Sequence, residues 1–143
     1  MSRFCPLFSG SSGNSMYIGS GREGILIDAG RSARQLDTAL KNCGIDPCTI
    51  QALFITHEHS DHIQGLRVFA SKYNLRVYTS AGTLQALHEM NQLCEKYTAQ
   101  VIEPQGVEAG GMFVTPFSTP HDSRDSVGYV VRTSDGRRVS IVT

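Results

Sequence analysis

The sequence predicts an α/β chain whose strands and helices pack in layers. Three observations carry that expectation. From residue 25 to residue 95, apolar runs of strand length alternate with segments of helical periodicity. From residue 100 onward, four strand-like runs follow one another with no helical pattern between them. The run Ala52-Leu53-Phe54-Ile55 is apolar at every position, which is the pattern of a strand covered on both faces.

Taken in order, residues 4–8 are apolar but contain Pro6, so they suit only an edge strand or a strand start. The small-residue stretch Ser9-Gly10-Ser11-Ser12-Gly13-Asn14-Ser15 marks a tight loop. Residues 16–18 and 24–28 then form a hairpin across a Gly19–Gly24 turn. Ser32 caps a helix whose buried face is Ala33, Leu36, Ala39, Leu40 and Cys43, with Gly44 as its stop. Asp46-Pro47 starts a short helical turn, and residues 50–56 form the buried strand. A helix with Ile63, Leu66, Phe69, Ala70 and Tyr73 on one face ends at Asn74. A strand at 76–79 leads to Ser80, the cap of a helix carrying Leu84, Leu87 and Cys94. Strands are expected at 100–103, 112–118, 127–133 and 138–142, the last two joined at Ser134-Asp135-Gly136.

A chain of 143 residues suffices for one modest domain. Its 13 Lys+Arg and 13 Asp+Glu cancel, so bulk charge argues for neither nucleic acid nor an acidic membrane as partner. No apolar run is long enough for a membrane span and no signal-peptide pattern opens the chain, so the expected location is the cytoplasm. Cys5, Cys43, Cys48 and Cys94 form no CxxC pair and match no zinc-finger spacing. Cys43 and Cys94 read as small apolar residues on helix faces.

The chemistry concentrates in His57-Glu58-His59-Ser60-Asp61-His62, directly after the buried strand. Residues two apart in an extended segment point the same way, so His57 and His59 can grip one ion together. Asp61 and His62 enter the next helix and aim elsewhere, toward a second ion close to the first. Imidazole with added carboxylate suits zinc, manganese or iron(II). Each ion needs further ligands from a distance. His121, in a Thr-Pro-His-Asp turn after a strand, is the leading candidate, whereas His88 sits inside an amphipathic helix and reads as a surface or packing histidine. Asp28, at a strand end beside Ala29 and Gly30, suits a structural role, bonding backbone donors or orienting a ligand histidine, rather than catalysis. The loop at 9–15 can bind an anion through backbone N–H groups or serve as a plain turn.

These residues resemble the metallo-β-lactamase superfamily. His57-x-His59-x-Asp61-His62 matches its signature, Leu26-Ile27-Asp28-Ala29-Gly30 its usual surroundings, and His121 its next histidine. The 9–15 loop, Thr56 with the histidine cluster, and His121-Asp122 with Val127-Gly128-Tyr129 are similar to the YycJ/WalJ subgroup. The resemblance implies an αββα sandwich, with only its N-terminal part in these 143 residues. It implies two divalent metal ions: His57, His59 and His121 hold one, Asp61 and His62 the other. The family's bridging aspartate and final histidine have no counterpart here, so the second site is incomplete and residues 1–143 read as a C-terminally truncated metallo-β-lactamase-like domain. The implied activity is that of a hydrolase using metal-activated water, a 5'-3' exonuclease-like phosphodiesterase acting on DNA or RNA. Asp61 would orient the water, and Ser11, Ser12 and Asn14 would contact substrate. The alternatives are a small-molecule hydrolase of a thioester, lactone or cyclic phosphodiester, or a non-catalytic remnant if 143 residues is the natural length.

Overall fold

A computed structural model of the chain describes residues 2–120 and 123–143. Its elements are β1 (Arg3–Phe8), β2 (Ser15–Gly19), β3 (Gly24–Ile27), α1 (Ala33–Asn42), a 3-10 turn (Pro47–Thr49), β4 (Ile50–Phe54), α2 (Ser60–Ile63), α3 (Leu66–Tyr73), β5 (Arg76–Thr79), α4 (Ala81–Glu89), β6 (Thr98–Val101), β7 (Val107–Ala109), β8 (Met112–Ser118), β9 (Val127–Arg132) and β10 (Arg138–Ile141). β1 to β6 form one sheet in sequence order. β1, β2 and β3 pair antiparallel, and β3 through β6 pair parallel, each parallel step crossing over through helix. The second sheet runs β10-β9-β8-β7 and is antiparallel throughout.

Side-chain alternation assigns the two faces of the first sheet to two cores. Tyr17, Leu26, Leu53, Ile55 and Val77 meet Leu36 and Leu40 of α1, Leu66 and Phe69 of α3, and Leu87 of α4. Ile18, Ile25, Ile27, Phe54 and Tyr78 meet Met112, Val114, Tyr129, Val131 and Ile141 of the second sheet. The order is therefore helices, sheet, sheet. Phe54 stacks on Tyr78 with ring centroids 5.1 Å apart and meets Tyr129 edge-on at 5.4 Å. No helix among the described residues is long and apolar enough to cross a membrane.

Local chemistry accounts for the element ends. Ser32 and Gln35 form a reciprocal capping box on α1. Asp46 accepts from the Cys48 N–H with Pro47 at the first position of the 3-10 turn. Asn74 closes α3 in the left-handed region at φ 50°, and Ser80 caps α4 through the Thr83 N–H.

Four expectations are corrected. The helix expected through 63–73 is two, α2 and α3, broken at Gln64-Gly65. Gly65 N–H donates to Ala29 O at 2.8 Å, and a Cβ there would lie 2.0 Å from Arg31 O, so the chain breaks where it touches the turn after β3. Cys94 is not on α4. That helix ends at Glu89, and Asn91, at φ 59°, turns the chain away. The strand expected at 100–103 is β6, two residues earlier, because its register is set by β5 pairing. β7 was not anticipated, since three residues are too few to show a period. The pair Gly110 (φ 59°) and Gly111 (φ 77°) makes its turn into β8.

Candidate metal centre

The centre forms where β3 and β4 end side by side and α2 crosses in front of them. Parallel pairing of Ile27 with Phe54 brings Asp28 and the residues after Phe54 to the same edge. Carbonyls of α2 then accept from both neighbouring turns: Asp61 O from Asn14 N–H at 2.7 Å, and His62 O from Ala29 N–H at 2.8 Å. Gly30 permits this closeness, because a Cβ there would lie 1.9 Å from Asp61 O and 2.3 Å from Asn14 N.

Asp28 is 1 % exposed and sits at φ 64°, a left-handed backbone that aspartate tolerates better than most residues. Its Oδ1 accepts the Thr56 N–H at 2.8 Å and its Oδ2 accepts the Thr56 hydroxyl at 2.7 Å. The same Oδ2 lies 2.6 Å from His62 Nδ1. Thr56 Oγ1 also lies 2.9 Å from His57 Nδ1. Donor accounting assigns the tautomers. The Thr56 hydroxyl spends its one proton on Asp28, so its oxygen accepts from His57 Nδ1–H. Asp28, accepting from Thr56, accepts from His62 Nδ1–H as well. In both rings the Nδ1 proton is fixed and Nε2 carries the lone pair, the form a metal-ligating histidine takes.

Burial pulls the His62 ring toward its neutral form, but the hydrogen bond and charge of Asp28, with Asp61 adding to them, outweigh burial and raise its pKa. Burial likewise pushes the Asp28 carboxyl up, opposed by its bonds from His62 and Thr56. Asp28 thus accepts from His62 Nδ1 in addition to the two donors that Thr56 supplies.

His57 and His62 ring centroids are 4.0 Å apart and those of His57 and His59 are 4.6 Å apart. Asp61 Oδ2 is 3.5 Å from His62 Nε2. Asn14 Nδ2 donates to Asp61 Oδ2 at 3.1 Å and lies 3.3 Å from His62 Nε2. Four of the sequence-predicted residues, His57, His59, Asp61 and His62, thus gather at one edge with Asp28 beneath them. His121 lies outside the described residues. On either side of it in sequence, Thr119 N–H donates to Ser126 O at 3.1 Å and Val127 N–H to Thr56 O at 3.0 Å. His88 is exposed on α4. Ser11 and Ser12 are exposed, and Asn14 turns its amide inward to Asp61.

Among the described residues, no three His, Cys, Asp or Glu side chains converge on one ion position. The donor chemistry still fits a divalent cation: three imidazoles and a carboxylate at one edge, two of the rings oriented through Nδ1. Sequence reasoning quoted Thr56 only as part of the resemblance and gave it no role, whereas it orients His57 and braces Asp28. It likewise gave no role to Tyr129, whose fully buried hydroxyl donates to Ile55 O at 2.6 Å and ties the second sheet to the strand end before the cluster. A hydroxyl residue directly before the first histidine was the available signal for Thr56. Nothing local marks Tyr129.

Comparison with known proteins agrees with this architecture. The family described as "Beta-lactamase superfamily domain" matches residues 23–143. The chain is 30% identical over 141 residues to exodeoxyribonuclease YycJ of Bacillus anthracis, covering 98% of this chain and 53% of that protein. It is 32% identical over 146 residues to exodeoxyribonuclease WalJ of Streptococcus pneumoniae, covering 94% of this chain and 54% of that protein. It therefore spans about half the length of these curated relatives. A metallo-beta-lactamase from Cronobacter sakazakii superposes with a TM-score of 0.79 at 19% identity, over 97% of this chain and 60% of that one. The mixed α/β fold, the paired sheets and the match over residues 23–143 make this chain a member of the beta-lactamase superfamily.

Proposed function

We propose that the protein is a metal-dependent phosphodiesterase that hydrolyses nucleic acid, DNA in the first instance, with exonuclease-type action. The observation that carries this reading is the pair of buried histidines, His57 and His62, each with Nδ1 held by an oxygen partner. The YycJ and WalJ relatives, which align over nearly the whole chain, are named exodeoxyribonucleases, which supports the choice of substrate.

His57, His59 and His121 would hold one divalent ion, and Asp61 with His62 would hold a second. Bound there, divalent ions supply Lewis acidity, lowering the pKa of a water and neutralising charge that develops on the phosphoryl oxygens. The chain's own residues do the rest. Asp28 and Thr56 keep the two imidazoles from rotating and fix their protons on Nδ1. Asp61, steadied by Asn14, offers a carboxylate oxygen to orient the attacking water. The turn Ser11-Ser12 faces solvent beside this edge, where substrate would approach.

The test is hydrolysis of single- and double-stranded DNA, RNA and bis-p-nitrophenyl phosphate with Mn²⁺ or Zn²⁺, beside His59→Ala. Metal-dependent release of nucleotides, lost in His59→Ala together with bound metal, is expected. Esterase or thioesterase activity without cleavage of nucleic acid would sink the proposal, and unchanged metal content in His59→Ala would refute the ligand assignment.

A further inference from the structure

Arg31 follows the turn Asp28-Ala29-Gly30 and has no part in the metal chemistry. Its side chain lies along the backbone of Gly13, where an added Cβ would come within 2.6 Å of Arg31 Cδ and Nε. One terminal nitrogen donates to Ser12 Oγ at 2.9 Å. The guanidinium carbon sits 4.7 Å from the centroid of the Phe8 ring. Among the described residues, the buried Nε has no hydrogen-bond partner and no carboxylate pairs with Arg31. The cation is therefore preorganised by an aromatic face and a serine, with its charge left unneutralised.

This cation is coupled directly to the candidate metal centre. The turn holding Ser12 ends at Asn14, which bonds Asp61 through both its backbone N–H and its amide. Gly30, next to Arg31, donates to Asn14 O at 2.8 Å. Phe8 also lines a separate groove of about 330 Å³ with Arg34, Gln35, Thr38, Ala39 and Asn42 of α1. An unpaired guanidinium held rigid beside a hydrolytic edge suits a phosphate, since its fork of N–H donors matches phosphate oxygens.

We infer that Arg31, braced by Ser12 and Phe8, is a positioning residue that binds the phosphate flanking the scissile linkage of a single-stranded nucleic acid. The inference rests on the phosphodiesterase reading and adds to it the means of telling a polymer from a small diester. Arg31 does not touch the reacting phosphoryl. It anchors the next phosphate along the strand, so that the scissile linkage enters in register with Asp61 and the histidines.

The experiment compares oligodeoxythymidylate and bis-p-nitrophenyl phosphate as substrates for the wild type, Arg31→Gln, Arg31→Lys and Ser12→Ala. Urea midpoints confirm that each variant folds. In Arg31→Gln the ratio of oligonucleotide to small-diester kcat/KM is expected to fall about tenfold, mostly through KM. The slope of log affinity against log salt should become shallower by about 0.7, the value for one phosphate contact on a single strand. Arg31→Lys restores most of the slope, and Ser12→Ala loses a few-fold in KM. Replacing the one flanking phosphate by an uncharged methylphosphonate should weaken the wild type about tenfold and Arg31→Gln no further. An unchanged ratio in Arg31→Gln, or an equal fall on both substrates, overturns the inference while leaving the phosphodiesterase reading intact. A wild type that cleaves neither substrate overturns both.

Discussion

Nδ1 of His62 lies 2.6 Å from Oδ2 of Asp28, and both groups are buried, at 5 % and 1 % exposure. Asp28 reaches that position from a left-handed backbone, φ 64°. Asp28→Asn keeps the shape but replaces one acceptor oxygen with a donor, so it cannot accept from the Thr56 N–H, the Thr56 hydroxyl and His62 together. The His62 proton then has reason to move to Nε2, the nitrogen a metal would need. Divalent-metal affinity is expected to fall about 10- to 100-fold in Asp28→Asn, read by competition titration with a chelating dye. An affinity equal to wild type would remove Asp28 from the orienting role.

Thr56 links Asp28 to His57 through one hydroxyl. Thr56→Val preserves the branched shape while deleting that hydroxyl, removing the Thr56 contact at His57 Nδ1 and one of the two donors to Asp28 Oδ2. Stability should drop by about 1–3 kcal/mol, measured as a shift in urea midpoint, and Thr56→Ser should recover most of it. Equal losses in the valine and serine variants would point to packing instead.

Gly30 is the contact point between the 9–14 turn, α2 and the end of β3. A methyl group there overlaps Asp61 O and Asn14 N, both backbone atoms that cannot swing aside. Gly30→Ala is expected to cost about 1–3 kcal/mol and to free the 9–14 turn from Asp61. Faster amide exchange at Asn14 would report that release, and wild-type protection there would refute it.

Lys72 of α3 donates to Asp37 of α1 at 2.5 Å, and the Tyr73 hydroxyl donates to the same carboxylate at 2.6 Å. Burial and then the Asp37 hydrogen bond push the Tyr73 phenol up to about 12. An unfolded tyrosine ionises near 10, so above that pH the unfolded state loses a proton that the folded state keeps. Tyr73 therefore contributes stability that is fully present below pH ~10 and is lost as pH rises toward ~12. Urea midpoints across this window should fall less steeply in Tyr73→Phe than in wild type. Parallel pH profiles would contradict the assignment.

The readable parts of this protein are the local ones. His57, His59, Asp61 and His62 were legible because six consecutive residues carry them. Ser32, Asp46, Asn74 and Ser80 were legible because a cap acts within its own turn. Asp28 could be suspected of orienting a histidine from its place at a strand end beside glycine. The break at Gly65 was not legible, because it answers to Ala29 and Arg31 across the fold. Cys94 was misplaced because an apolar residue in register with a helix does not reveal that Asn91 has ended it.

The sequence by itself determined which side chains carry metal-competent groups and most of the strand and helix segments, since spacing and periodicity are properties of the chain. Tertiary structure alone decided which atoms meet. Parallel pairing of β3 with β4 set Asp28 under Thr56 and His62 and so fixed two histidine tautomers. The close approach at Gly30 and Gly13 brought Asn14 to Asp61 and Arg31 to Ser12 and Phe8. Those contacts join residues up to 47 positions apart, and their existence depends on sheet register and backbone clearance, neither of which is written in any local stretch of sequence.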